Sequence, residues 1–117
     1  MTTITVIEHL LEANETFRVT ACQGEDRDAV VESAAEFVEE RVRTMESEWP
    51  DAEMSSGAVV DGIWLPCERT SLAAEDIRAA LQGMRAEDHL EIKLDTGSEK
   101  WRCIASAGVL EVRQIGE

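Results

Sequence analysis

Carboxylates are the reactive side chains that recur at a regular interval in this chain. Along Arg27 to Trp49, RDAVVESAAEFVEERVRTMESEW, the residues Asp28, Glu32, Glu36, Glu39 and Glu46 fall on one side of a helix drawn at about 100° per residue, interrupted by Arg43. Glu40 adds to this acidic surface. Successive members such as Glu32 and Glu36 stand one turn apart, about 6 Å along the axis. Paired carboxylates do acid-base work only where burial drives their pKa values apart, and a polar helix face is ordinarily solvated. Calcium chemistry would need Asp and Asn alternating along a loop, a pattern missing here. What remains is ionic recognition of Arg and Lys on a partner.

Other reactive types offer less. His9 and His89 are far apart in sequence and have no H-x-x-E, H-E-x-x-H or Cys companion, so no metal is expected; His89 reads as an exposed residue at a strand start. Cys22, Cys67 and Cys103 are odd in number and lack C-x-x-C spacing, which fits free, mostly buried thiols. No G-x-S-x-G elbow occurs, and Gly24 stands alone among acids rather than in a phosphate-cradling loop. These patterns predict no enzyme and no cofactor. Of the three tryptophans, Trp49 and Trp101 fall in inward registers, whereas Trp64, between Gly62 and Pro66, could serve as an interface anchor.

The charge balance narrows the class of partner. Formal net charge is -14 over 117 residues, with nine Arg and two Lys. Eleven acids against three Arg lie between Glu25 and Glu53, so the negative charge is concentrated there. That sign opposes direct binding to nucleic acid or an anionic membrane and favours a basic partner. MTTITVIEHLLEANE has no basic leader, and no apolar run approaches the ~18 residues of a membrane span, so a cytoplasmic location is expected.

The elements that must position the acids can be read in order. TTITVIE, residues 2–8, is β-branched and predicts a strand with Ile4 and Val6 on one face; a helix over Val6 to Ala13, with Thr5 and Glu8 as a capping box, competes. Glu15 to Cys22 alternates as a strand, Phe17, Val19 and Ala21 inward and Arg18 and Thr20 outward. The long helix follows, with Val30, Ala34, Phe37, Val38, Val42, Met45 and Trp49 as its apolar side, and Pro50 ends it. After a polar loop, PDAEMSSG, the Asp61-Gly62 pair between apolar runs predicts a small hairpin over Ala58 to Leu65, or one strand with a kink at Gly62. Ser71 caps a second helix, Leu72 to Arg85, with Ile77, Leu81 and Met84 inward. A meander closes the chain: Leu90, Ile92 and Leu94, then Trp101, Cys103 and Ala105, then Leu110 and Val112 of a strand over Val109 to Ile115. The expected fold is a single α+β domain over residues 1–117, a largely antiparallel sheet with a long acidic helix and a shorter helix on one face.

These features together predict a small, non-catalytic binding protein, an inhibitor that blocks the basic nucleic-acid-binding surface of a target through Asp28, Glu32, Glu36, Glu39, Glu40, Glu46 and Trp64. In size and acidity the chain is similar to toxin-immunity proteins and to phage-encoded anti-CRISPR proteins that imitate DNA, a likeness of class that implies a nucleic-acid mimic acting on a protein. Duplex DNA carries one charge per ~1.7 Å of axis, denser than one helix face, so full mimicry would enlist Asp51 and Glu53 or a homodimer formed through an open sheet edge. The alternative is a soluble accessory or small-ligand-binding domain whose acidity serves solubility or salt adaptation.

Overall fold

The computed structural model describes residues 2–10, 15–60, 63–66, 74–84, 88–97 and 99–106, with the side chains of residues 15–17, 64–66 and 74 outside that set. β-Branched residues crowd the first strand, β1 (Thr2–Leu10), which pairs on one side with β2 (Glu15–Gly24) and on the other with β6 (Lys100–Ser106). Every residue from Ile4 to His9 is buried. A strand covered on both faces reads as a continuous apolar run, which is why Val6, Ile7 and Leu10 also fit a helical spacing. The strand reading holds through Leu10; residues 11–13 of the competing helix lie outside the described residues.

The helix α1 (Arg27–Glu48) starts on Asp26, whose side chain accepts from the backbone N–H of Asp28 at 3.1 Å and of Ala29 at 3.4 Å. It stops at Trp49, whose N–H still donates to Met45 before Pro50 breaks the geometry. Val30, Val31, Ala34, Ala35, Val38, Val42 and Met45 are buried, with Phe37 and Trp49 partly so. Each fully buried Val or Met there contributes about 1.5–3 kcal/mol. Gly24 leads into the helix at close quarters, since a Cβ on it would lie 2.9 Å from a Val30 methyl.

β3 (Glu53–Val60) and β4 (Ile63–Pro66) form a hairpin whose register, Val60 opposite Ile63, leaves two residues for the turn, as the Asp-Gly pair predicts. Asp61 and Gly62 themselves lie outside the described residues. The predicted loop is shorter than expected. Glu53 to Gly57 are strand, because they pair with β5 (His89–Asp95) and so gain ladder partners that their polar side chains conceal. The turn from β5 to β6 is held by Asp95, whose carboxylate accepts from the Gly97 N–H at 2.7 Å, and by Gly97 at a φ of +94°. Ser71, Leu72 and Arg85 of the predicted second helix lie outside the described residues, but α2 (Ala74–Gln82) is present with Ile77 and Leu81 buried, and Met84 just beyond it is buried too. The predicted strand over Val109 to Ile115 also lies outside them.

All pairings among the described residues are antiparallel, in the order β2-β1-β6-β5-β3-β4. The domain is therefore α+β, with one long and one short helix packed on the sheet. The core lies between the helices and one sheet face, built from Ile4, Val6, Leu90, Ile92, Leu94, Trp101, Cys103 and Ala105. One strand departs from the expected alternation. Ile4 faces Cys22 and Glu8 faces Arg18 across the β1–β2 ladder, so Arg18, Thr20 and Cys22 share the helix-covered side, while Val19 is 54% exposed and Ala21 is exposed. Register decides this: an inward Glu8 needs Arg18 on its own face, and a strand admits one face for each parity. Phe17 has its side chain outside the described residues.

Candidate functional site

The acidic surface begins with how α1 is held. Ile4, Val6, Glu8 and Leu10 share one side of β1, so a carboxylate enters the core at Glu8, which is 0% exposed. Its Oε1 accepts from Arg41 Nε at 2.7 Å and from the Trp101 indole N–H at 3.3 Å. Oε2 makes no hydrogen bond and faces Arg18 Nε at 3.7 Å. One buried carboxylate thus ties α1, β2 and β6 to β1. Arg41 is largely buried by this contact and is withdrawn from the surface.

With Arg41 turned inward, two arginines remain on the surface among the eleven acids from Glu25 to Glu53. Arg27 donates to the Gln82 carbonyl at 3.1 Å, and Arg43 pairs with Glu39 at 2.9 Å one helical turn away. Asp28, Glu32, Glu36, Glu40 and Glu46 are exposed, and Glu39 is half-buried. Asp28 accepts from the Gln82 side chain at 3.0 Å, which joins the start of α1 to the end of α2. The predicted site residues on α1 therefore lie together on its outer surface. Trp64 does not join them: it belongs to β4 at the far edge of the sheet, and its side chain lies outside the described residues.

A second ionic cluster occupies the sheet face turned away from the helices. Glu91 sits 3.8 Å from His89 Nε2, 3.6 Å from Lys93 Nζ and 3.4 Å from Arg102 Nη1. Burial pushes the Glu91 carboxyl up, but the neighbouring His89, the positive charges of Lys93 and Arg102 and the hydrogen bond that Arg102 donates outweigh it, leaving the group below the usual carboxylate range. This corrects the reading of β5: Glu91 is buried and His89 half-buried, because this face also carries Thr5, Ile7, His9, Ile104 and Ser106, all buried. The signal available in sequence was weak, a polar residue at every second position. Glu8 was more accessible to reasoning, since a charge at an inward register demands a partner.

Among the described residues, no three of His, Cys, Asp and Glu gather as metal ligands. Burial raises the Cys22 thiol, and burial with the nearby Glu8 charge raises Cys103 well above its usual range, so neither is a thiolate nucleophile at neutral pH. Both are free, and Cys67 lies outside the described residues. A groove of about 380 Å³ lies between the end of β2 and the first turns of α1, lined in part by Cys22, Gly24, Ala29 and Ser33. No described helix is long and apolar enough to cross a membrane. In comparisons with protein-family models, curated proteins and solved structures, nothing matches this chain.

Proposed function

We propose that the chain is a small acidic binding protein, a non-catalytic inhibitor that occupies the basic nucleic-acid-binding surface of a target protein through the outer face of α1. The reading rests on one observation: six acids from Asp28 to Glu46 on a packed helix, with Arg41 diverted into the core by Glu8. Over that span of about 27 Å a single nucleic-acid strand at 3.4 Å per phosphate presents ~8 charges and a duplex ~16. The helix is nearer the single-strand spacing. A groove that grips one phosphate backbone with Arg and Lys is the matching surface, and charge-assisted hydrogen bonds to carboxylates would replace those to phosphate.

Glu32→Lys/Glu36→Lys/Glu39→Lys tests this. These side chains are exposed or half-buried, so the variant should keep the wild-type circular dichroism and melting curve. Wild-type protein immobilised as bait should retain nucleic-acid-binding proteins from the source cell, and both salt and free DNA or RNA should release them. The triple variant should retain none of them. Equal retention by the variant, or no competition by nucleic acid, overturns the reading and leaves acidity as a matter of dispersal.

A further inference from the structure

The sheet ends on two strands of opposite character. β4 has four residues and closes on Pro66, and short length and proline both make an edge unreceptive to further pairing. β2 runs ten residues without proline or lysine, and among the described residues it pairs with β1 alone. Its outer backbone donors and acceptors form a template for another strand. Charge favours this edge as well: β2 carries Glu15 and Arg18, a formal balance of zero within a chain at -14. On one side of the edge stand exposed Val19 and Ala21. On the other, α1 turns down its small residues Ala29 and Ser33, which line the groove with Cys22 and Gly24; the acids Glu25 and Asp26 lie at one end of that groove.

From these features we infer that β2 pairs antiparallel with β2 of a second copy, doubling the six-stranded sheet through an isologous contact. A strand set against itself about Val19 places Val19 opposite the partner's Val19, Arg18 opposite the partner's Thr20, and Glu15 opposite the partner's Gln23. No like charges meet. Because α1 packs over β1 and β2, the two long helices come to lie on the same side of the joined sheet. Two chains at -14 repel, so salt strengthens this contact by screening, whereas it weakens the binding of acids to a basic partner. The dimer and the inhibitor reading therefore stand or fall separately.

Sedimentation equilibrium over a wide concentration range, at low and high salt, tests the contact. Wild-type protein should reach twice 13.0 kDa, more readily at high salt. Val19→Lys/Ala21→Lys, which sets lysines on the edge at exposed positions, should remain at one chain mass with unchanged circular dichroism. Ile63→Lys at the opposite edge, where Ile63 is 63% exposed, should still dimerise. Amide exchange on the wild type gives a reading free of variants: protection of β2 should rise with protein concentration. A wild type that stays at 13.0 kDa throughout overturns the proposal. So does a dimer that survives the β2 lysines, one lost in Ile63→Lys, or β2 exchange that ignores concentration.

Discussion

Removing the carboxylate of Glu8 should cost more than any other single truncation of a charged side chain on β1 or α1. In Glu8→Ala, Arg41, which lies 2.7 Å from Oε1 with a side chain 16% exposed, loses its counter-charge, and the Trp101 indole N–H loses its acceptor. Stripping one partner from a buried ion pair costs about 3–5 kcal/mol. The Arg18 contact adds little, since at 3.7 Å and 47% exposure it resembles a surface pair worth about 0–1 kcal/mol. Against a domain stability of about 5–15 kcal/mol, a loss of about 3–5 kcal/mol for Glu8→Ala removes roughly a fifth or more. Urea unfolding followed by tryptophan fluorescence measures it, and with a slope of about 1–3 kcal/mol per molar the midpoint should fall by at least about 1 M. Glu8→Gln, which keeps an acceptor for Trp101, should fall between. Glu8→Leu/Arg41→Met should recover most of the loss, because an apolar pair of similar volume removes both desolvated charges. A midpoint shift under about 0.5 M for Glu8→Ala would show Arg41 solvated and the anchor of α1 elsewhere.

Two further outcomes concern the titratable groups. Glu91 has its folded-state carboxyl held below the ordinary glutamate value, so the stability it contributes is present above that value and is lost as pH falls through it toward the folded value. Acid unfolding of Glu91→Gln should therefore show a shallower loss below pH 4.5 than wild type, and parallel curves would remove Glu91 from the account. Cys103 is 1% exposed and its thiol is pushed up, so it should resist alkylation in the folded protein and react only after unfolding, as peptide mass mapping would reveal. Labelling of native Cys103 at the rate of a free thiol would refute its burial.

What the sequence disclosed follows from which physical signals are local. The 3.6-residue stripe of α1, its Pro50 stop, the inward sets of β5 and β6, and the Asp-Gly hairpin all rest on short-range chemistry, and the fold class follows from them. The acidic residues of α1 were legible for the same reason. Pairing was not: the face of β2 depends on where Glu8 lands, and Glu53 to Gly57 become strand only because β5 is beside them. The Glu91 cluster was hidden because a sheet buried on both faces need not alternate apolar with polar. Arg41 looked like one of three surface cations in the acidic region, and only the tertiary contact with Glu8 shows that it does not screen the acids around it.

The position of β1 between β2 and β6 also governs how the chain can fold. Thr5 pairs with Ser106, and the bond from Trp101 to Glu8 spans 93 residues of sequence. β1, β2 and α1 can assemble locally, but the Glu8 carboxylate stays open along its β6 side until the far end of the described chain arrives. Such closure over a long loop makes folding slow relative to a helical bundle of equal size. Before β6 is in place, β2-β1 and β5-β3-β4 are two separate ladders, and the strand that carries Trp101 is the one that joins them into a single sheet.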